Sequence, residues 1–233
     1  MEESARPYVL VCERIWLYRT LTAVAGFFGA FTYLLRGNVF CNAQTGNVVL
    51  MGMALGSGQW RHALYYLIPI SAYIGGAFLK RHLPMRWETM LIAIEIAAVL
   101  FLGLLPESAP VQISQVTINF IASMQYNTFR QSEGVSMATT FATNHIRQIG
   151  VGLAHELRRL RTGNTAHRKK LLTHFEILLF FFAGTVVGTV ACNTISGSAI
   201  LLTLLPLGII FARLLHADLT TEKALLEKKP AGH

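Results

Sequence analysis

The sequence is short of charge. Only 14% of its 233 residues are Asp, Glu, Lys or Arg, whereas 53% are hydrophobic. About a quarter of the residues in a soluble domain are charged, so this composition cannot cover a soluble surface with polar groups. The same composition excludes intrinsic disorder and a collagen-like fibre, and it disfavours a soluble enzyme.

The sequence also lacks the residue patterns that hold metals, cofactors or catalytic groups. Its three cysteines, Cys12, Cys41 and Cys192, are far apart and have no CxxC or Cys/His spacing. Neither a disulfide scaffold nor a metal site is therefore indicated. There is no GxGxxG motif after a strand, and no GKS/T, GxSxG or HExxH motif. We expect no enzymatic activity, no cofactor and no metal.

What the sequence has instead is a series of apolar runs. Most approach the ~20 residues that cross a bilayer, and they are apolar on every side, unlike the one-sided helix of a soluble protein. A chain of this size cannot bury several such helices, so we predict a multi-pass membrane protein with the lipid bilayer as its main partner. The first run is expected to be a retained anchor rather than a cleaved signal peptide. The eight runs are 17–35, 48–55, 63–79, 90–105, 111–129, 135–153, 171–192 and 199–215.

Two of the eight runs do not qualify as membrane spans. Run 48–55 is too short, and run 135–153 is interrupted by polar residues and continues into HELRRLR. If both enter the membrane and return to the same side, six spans remain. The basic loops 80–86 and 158–170 then share one side with both termini, as the positive-inside rule requires. We expect that side to be the cytoplasm, with loops 106–110 and 193–197, which carry no Lys or Arg, outside.

The two halves of the chain show signs of an internal repeat. A shift of 98 positions aligns Phe31 with Phe129 and Thr45 with Thr143. Each half has a span, a re-entrant segment and two more spans, and three spans per half invert the second half. The sequence therefore predicts an all-α membrane protein with six transmembrane helices, two short re-entrant or broken helices, and two inverted repeats of three spans each. The predicted divisions are a cytoplasmic N-terminal segment (1–13), repeat 1 (14–105), repeat 2 (106–216) and a cytoplasmic tail (217–233).

Polar residues just before the short run of the first half form the first candidate site. Thr45 and Asn47 are suited to cap the helix that follows, and Gly46 permits a tight turn. Free N–H groups and the positive end of the helix dipole would attract an anion or a carbonyl-like group. A simple helix cap without a ligand is the alternative. The candidate solute-binding residues are Asn42, Gln44, Thr45, Gly46 and Asn47.

The second half repeats this pattern. Two helix starts that face each other would create a polar point inside hydrocarbon, where non-helical backbone is tolerated only if it is buried or lines a cavity. Arg147 would add positive charge, and His145 is either a proton relay or a satisfied interior group. The candidate solute-binding residues are Thr139, Thr140, Thr143, Asn144, His145 and Arg147.

Two further features lie within predicted spans. Run 111–129 carries a stripe of amide and hydroxyl groups that should face the bundle interior. With Gln125 and Asn127, the stripe either lines a solute path or makes interhelical hydrogen bonds. Glu95 lies in the middle of run 90–105, where a carboxyl group must be paired, protonated or beside water. Both a structural ion pair and coupling to a proton or cation remain open for Glu95.

Two segments resemble the signatures of a known family. GFFGAFTYLLRGNVFCNAQTGNVVLMG (26–52) is similar to the first-half signature of the YoaK family of bacterial multi-pass membrane proteins, roughly G-F-x-D-A followed by M-T-G-N. MQYNTFRQSEGVSMATTFATNHIRQIG (124–150) is similar to the second-half signature, roughly Q-N-A followed by T-T-x-x-T-G. The chain departs from the family at Gly29, where the family has an acidic residue, and at Asn144, where it has Gly. The resemblance implies a bacterial membrane protein but no particular substrate.

The expected function is a membrane transporter or channel. Its solute would be small and polar, with an anion favoured, and would bind near the membrane midplane between two half-helix N-termini. The location implied is the bacterial inner membrane. The alternative is a non-transporting scaffold or sensor, in which the polar residues only pack. Basic loop 158–170 lacks interleaved aromatic residues, so nucleic acid is not an expected partner, whereas the glycine-rich helix faces would suit a homodimer.

Overall fold

The protein is built almost entirely from helices. A computed structural model describes residues 8–82, 87–162, 168–226 and 230, with 159–162 described by their backbone alone. The prediction of an all-helical architecture is confirmed, and the one sheet among the described residues is a two-stranded hairpin. The helices are α1 (Ile15–Leu35), α2 (Gln44–Gly56), α3 (Trp60–Tyr65), α4 (Leu67–His82), α5 (Glu88–Gly103), α6 (Val111–Thr128), α7 (Ala142–Thr162), α8 (Arg168–Ile195) and α9 (Leu204–Leu219).

The apolar runs locate the longer helices well, but the two runs that do not qualify as spans differ from the helices found there. α2 begins at Gln44, before run 48–55, and ends at Gly56. Run 135–153, which the sequence describes as interrupted, begins with a short strand, and α7 begins only at Ala142 and continues to Thr162. Run 199–215 is likewise divided, with a 3₁₀ segment (Ser196–Thr203) preceding α9.

The hairpin pairs strand β1 (Gln131–Ser132) with strand β2 (Val135–Ser136). Its two turn residues, Glu133 and Gly134, have φ values of 45° and 82°, as a tight type I′ turn requires. The hairpin is fastened to the start of α1, because the Tyr18 hydroxyl donates to the Gln131 carbonyl at 2.7 Å. It therefore fixes the end of α6 beside the start of α1.

α1 forms the centre of the core and packs along α8 in the same direction. Arg19 forms an ion pair with Glu176 near the start of both helices, and Arg36 approaches Gly197 beyond their ends. The close approach depends on glycine, since a Cβ atom at Gly184 would collide with the backbone of α1. The order of these contacts shows that the two helices are parallel.

α4 and α6 form a second close pair, also parallel. Tyr65, just before α4, receives a hydrogen bond from Gln115 near the start of α6. Further along, a Cβ atom at Gly76 would collide with the backbone oxygen of Phe120. A glycine, here on α4, thus allows close packing in this pair as well.

α5 and α9 complete the bundle and are antiparallel. Gly103, at the end of α5, meets Leu201 in the 3₁₀ segment. Thr89, at the start of α5, donates a hydrogen bond to Asp218 near the end of α9. The chain therefore reverses between α8 and α9.

Much of the outer surface of the helices is apolar. Two helical segments of the described chain, Trp60–His82 and Arg168–Leu219, are long and apolar enough to cross a membrane by length and composition. They account for fewer spans than the six that the sequence predicts. α5 has only 16 residues, and the polar stripe lowers the hydropathy of α6. Exposed apolar side chains include Phe78, Phe101, Phe182, Leu205 and Leu219.

Some predicted features lie outside the described residues. These include much of the predicted N-terminal segment and tail, and parts of both basic loops. The basic residues of these segments that lie outside the described residues are Arg6, Arg86, His167, Lys228 and Lys229, together with the side chains of Arg159 and Arg161.

Candidate functional site

A cavity of about 380 Å³ lies where the start of α2 and the start of α7 both meet α1 and α8. It takes residues from the candidate segments of both halves of the sequence. Small and hydroxyl-bearing side chains alternate with aromatic rings around it. The lining residues are Gly29, Ala30, Tyr33, Leu34, Phe40, Asn42, Ala43, Thr45, Thr140, Phe141, Ala142, Thr143, Phe181, Thr185 and Thr189.

Asn47 is fully buried and holds the loop before α2 in place. Its Oδ1 accepts from the Phe40 N–H at 2.9 Å, and its Nδ2 donates to the Phe40 carbonyl at 2.7 Å. Nδ2 also donates to Gln44 Oε1 at 2.9 Å. The amide is therefore engaged by the protein itself, which gives Asn47 a structural role at this site.

Gln44 and Asn42 are also bonded within the protein. Gln44 Nε2 donates to Asn119 Oδ1 on α6 at 2.7 Å, and Asn42 Nδ2 donates to the Ala25 carbonyl in the middle of α1 at 3.2 Å. These bonds bring the start of α2 to the middle of α1 and α6. Asn42 still contributes to the cavity wall, whereas Gln44 does not.

The predicted capping of α2 is wrong in its details. The residue that precedes the helix is Ala43, and it makes no side-chain capping bond. Because α2 begins earlier than predicted, Thr45 and Asn47 fall inside its first turn. Thr45 is exposed toward the cavity, and Gly46 packs against the Phe40 ring.

The start of α7 supplies hydroxyl groups. Thr140 lines the cavity and is 2% exposed, and Thr143 lines it from the first turn of the helix. The hydroxyls of Thr139 and Thr140 have no hydrogen-bond partner among the described residues. A buried hydroxyl without a partner is costly. Thr139 is not part of the cavity lining, so at the cavity wall the unsatisfied hydroxyl is that of Thr140.

More unsatisfied polar atoms lie behind the Phe141 ring, which packs against Tyr126 with centroids 4.7 Å apart. The Tyr73 hydroxyl of α4 lies beside Thr140 and Ser123. The hydroxyls of Tyr73 and Ser123 each lack a hydrogen-bond partner with acceptable geometry among the described residues. A buried polar cluster therefore adjoins the cavity on the α4–α6 side.

His145 pairs with a histidine that the sequence did not single out. Its Nδ1 lies 2.9 Å from Nδ1 of His174 on α8, and its Nε2 lies 3.0 Å from the Ala138 carbonyl. A carbonyl oxygen only accepts, so Nε2 of a neutral His145 carries the proton and Nδ1 accepts from His174. The pair fastens α7 to α8 close to the cavity, and His145 is a satisfied interior group.

Several predicted site residues do not reach the cavity wall. Asn127 Nδ2 donates to the Ser123 carbonyl of its own helix at 2.8 Å. Gln125 is buried on α6, and its Nε2 has no hydrogen-bond partner among the described residues. Asn144 and Arg147 lie on α7 but are not part of the lining. Glu95 lies on α5, is 0% exposed, and has no partner for either oxygen among the described residues.

Positive charge lies outside the cavity. None of the described residues that line it is charged. Arg36 lies at the far end of α1, over the Phe31 ring at 5.0 Å. Burial lowers the pKa of the Arg36 guanidinium, and the Glu107 carboxylate opposes that shift. Any preference of the cavity for an anion must therefore come from helix ends and hydroxyl groups.

A wider cleft of about 720 Å³ lies next to the cavity and shares Tyr33 with it. Arg61 and His62 contribute to its lining, together with Tyr65 and Tyr66. The Tyr33 ring stacks on Phe40 with centroids 4.8 Å apart. This stacked pair separates the cleft, which holds a cationic side chain, from the uncharged cavity.

Sequence reasoning missed the contributions of α1 and α8 to the site. Gly29 and Tyr33 are four residues apart on one face of α1, and Phe181, Thr185 and Thr189 repeat at the same spacing on α8. This helical periodicity was a usable signal. Within the described residues, no group of three or more His, Cys, Asp or Glu is placed to hold a metal ion.

Comparison with known proteins gives a family but no characterised relative. The family model described as "Protein of unknown function (DUF1275)" matches residues 17–213. No curated protein and no solved structure matches the chain. The match includes every residue that lines the cavity and extends over most of the sequence. The chain therefore belongs to the DUF1275 family, whose function is unknown.

Proposed function

We propose that the protein is a multi-pass membrane transporter or channel for a small polar solute, with an anion favoured. The observation that carries this proposal is that the starts of α2 and α7 line one cavity. The first N–H groups of a helix have no intrahelical partner, and the helix dipole makes this end positive. Two such ends at one cavity favour a negative or strongly polar group.

The order of contacts along the helices supports six spans. The start of α6 lies at the end of α1, because Gln115 Nε2 donates to the Arg36 carbonyl at 2.6 Å. The end of α9 lies near the start of α1, where the Val11 N–H donates to Glu222 at 2.6 Å. With the parallel pairs α1–α8 and α4–α6 and the antiparallel pair α5–α9, consecutive long helices alternate in direction. In the proposed architecture, α2, with 13 residues, and α7, which is longer than expected at 21 residues, are the two re-entrant segments.

The packing also supports an inverted repeat. α1 and α6 are the first helices of the two proposed halves. α1 packs against α8, the second long helix of the second half, and α6 packs against α4, the second long helix of the first half. In each pair a glycine lies against a backbone carbonyl of the partner helix: Gly184 of α8 against Ala23, and Gly76 of α4 against Phe120. Inverted-repeat transporters characteristically bind solute between broken helices near the midplane.

The exposed apolar helix faces support a location in a bilayer. A soluble monomer rarely exposes large contiguous apolar surface, and aromatic and aliphatic side chains cover the outside of α4, α5, α8 and α9. The resemblance to the YoaK family makes the bacterial inner membrane the proposed location, with cytoplasmic termini on the side of the basic loops. A homodimer through the remaining apolar faces is compatible with this arrangement.

The chain's departure from the YoaK-like signature strengthens the preference for an anion. Gly29 stands where that signature has an acidic residue, and Gly29 lines the cavity. A carboxylate there would repel an anion, whereas glycine leaves the helix ends as the main electrostatic feature. Glu95 remains the proposed coupling group, since both of its buried carboxyl oxygens are unpaired among the described residues. Its position on α5 requires that it act indirectly on the cavity.

Thiol labelling tests whether the cavity is wet. Thr45→Cys and Thr143→Cys, each in the full protein in liposomes, should react with a membrane-impermeant methanethiosulfonate. The native cysteines are all buried and serve as internal controls. A scaffold or sensor with a dry, packed interior predicts no reaction at either position, and that result would contradict the proposal.

Flux measurement tests transport itself. Liposomes containing the protein and loaded with chloride, acetate or benzoate should release at least one of these anions faster than empty liposomes. Thr143→Ala should reduce that release, and Thr194→Ala, an exposed position of α8 outside the cavity, should not. If wild-type protein releases none of the three anions, the proposed function is wrong.

A further inference from the structure

We propose that the solute is a monocarboxylate with an apolar, ring-sized body, which names the solute class of the cavity and rests on the proposed function. Three properties of the cavity carry this inference: a polar end rich in hydrogen-bond donors, aromatic walls, and a lining without charged side chains. Benzoate is the simplest probe that combines a carboxylate with such a body.

The polar end of the cavity matches one carboxylate. The helix starts at α2 and α7 provide backbone N–H donors. The Thr140 hydroxyl is buried, has the Tyr73 hydroxyl beside it, and makes no hydrogen bond of acceptable geometry among the described residues. Thr45 and Thr143 add two more hydroxyl groups to the wall. A carboxylate accepts several hydrogen bonds at its two oxygens, so it would satisfy donors that the protein leaves unused.

The remaining walls match an apolar body. Tyr33 and Phe40 form a stacked pair on one side, while Phe141 and Phe181 contribute from α7 and α8. Aromatic rings favour offset or edge-on contact with another ring. The volume of about 380 Å³ lies in the range of small-molecule sites and is far larger than a halide ion needs.

The charge of the lining favours a monoanion over a phosphate or a dicarboxylate. Proteins commonly bind phosphate groups with Arg or Lys side chains, and none of the described lining residues is charged. Helix ends and hydroxyls can compensate one negative charge more easily than two. The same donors would give a neutral amide of identical shape much less electrostatic stabilisation.

Thermal unfolding of the purified protein in detergent tests this solute class. Benzoate should raise Tm in a concentration-dependent way, because a ligand that binds the folded state stabilises it. Benzamide has the same shape without the charge, acetate has the charge without the ring, and phosphate carries more charge. Each of these three should give a smaller shift than benzoate at the same concentration and ionic strength.

A charged variant and its neutral counterpart at Gly29 test where the ligand binds. Gly29→Asp places a carboxylate in the cavity, and Gly29→Asn adds nearly the same volume without charge. Both require the Asn42 side chain to move slightly, since a Cβ atom at position 29 lies 3.2 Å from Asn42 Nδ2. Gly29→Asp should weaken benzoate binding at least about tenfold relative to Gly29→Asn.

If neither Gly29 variant folds, Thr140→Val provides the second test. It removes one proposed donor and retains the shape, so it should weaken benzoate binding. Thr128→Val is the matched control, because Thr128 is equally buried but bonds within α6 and does not line the cavity.

The outcomes separate this inference from the proposed function. Stabilisation by phosphate, acetate or benzamide equal to that by benzoate would overturn the monocarboxylate assignment, and so would the absence of any shift with benzoate. Benzoate binding unchanged in both Gly29→Asp and Thr140→Val would place the ligand elsewhere and also overturn it. If any of these results is obtained but the protein still releases chloride from liposomes, the monocarboxylate assignment is wrong and the proposed transport function stands.

Discussion

The start of α2 and the start of α7 meet at one cavity, yet they use their polar side chains differently. At α2, the amides of Asn42, Gln44 and Asn47 are bonded to the protein's own groups. At α7, the hydroxyls of Thr139 and Thr140 have no partner among the described residues. Amides at the first start therefore hold the fold, and at the second start the Thr140 hydroxyl, which lines the cavity, remains available to a ligand. Similar polar sequences at the two helix starts thus have different roles, one structural and one in ligand binding.

The largest effect should come from breaking the α2 start. Asn47→Ala removes two hydrogen bonds to the Phe40 backbone and leaves buried polar groups unpaired, so we expect a loss of about 3 kcal/mol in the free energy of unfolding. Equilibrium unfolding in detergent measures this loss. Asn127→Ala is the control, because its single bond lies within α6, and it should cost less than about 1 kcal/mol. Equal losses in the two variants would contradict the structural role of Asn47.

A smaller effect is expected at the histidine pair, which joins the start of α7 to α8. His174→Phe retains a ring but leaves Nδ1 of His145 without its donor, which should cost about 2 kcal/mol. Unfolding measured under the same conditions tests this. His216→Phe changes an exposed histidine on α9 and should have little effect. If His174→Phe matches that control, the pair does not fasten α7 to α8.

Removing the Thr140 hydroxyl should change stability least among the buried sites. Because this hydroxyl has no partner among the described residues, Thr140→Val should leave the free energy of unfolding within about 0.5 kcal/mol of wild type, or raise it. Thr128→Val, which loses a 2.8 Å bond to the Met124 carbonyl, should be the less stable of the two. A clear destabilisation by Thr140→Val would show that its hydroxyl serves the fold, and the contrast with α2 would disappear.

The two exposed threonines should have no measurable effect on stability. Thr45→Val and Thr143→Val change side chains in the first turn of their helices, and such surface substitutions usually remain within about 0.5 kcal/mol of wild type. If both helix starts contact the solute, both variants should reduce anion release from liposomes to a similar extent. A reduction in only one variant would assign binding to one helix start.

Much of this arrangement was predictable from local sequence. Apolar runs predicted the long helices because a helix satisfies its own backbone hydrogen bonds, which an apolar environment does not supply. The repeated polar starts at Thr45 and Thr143 were also visible. The details at α2 were not, because the helix start depends on the bonds of Asn47 to the Phe40 backbone and on the bond of Gln44 to Asn119, which is distant in sequence. The hairpin before α7 was hidden by apolar Val135, although the Glu133-Gly134 turn was present.

The partners of buried polar residues were beyond prediction from one sequence. His145 stood out as a histidine in an apolar context, but only the packing of α7 on α8 brought it to His174. Glu95 stood out for the same reason, and the fold places it on α5, away from the cavity wall. A polar residue within an apolar run signals that a hydrogen-bond or ion-pair partner is needed. Which residue is that partner depends on three-dimensional packing.

The sequence by itself determined the helical architecture and the positions of the polar segments that interrupt it, because hydrophobicity and helix periodicity act locally along the chain. Only the tertiary structure decided which polar groups are already bonded and which remain free at the cavity. That distinction depends on hydrogen bonds between residues far apart in sequence, such as Gln44 with Asn119 and His145 with His174. It also depends on the glycine contacts that allow α1 to approach α8 closely enough to form the cavity wall.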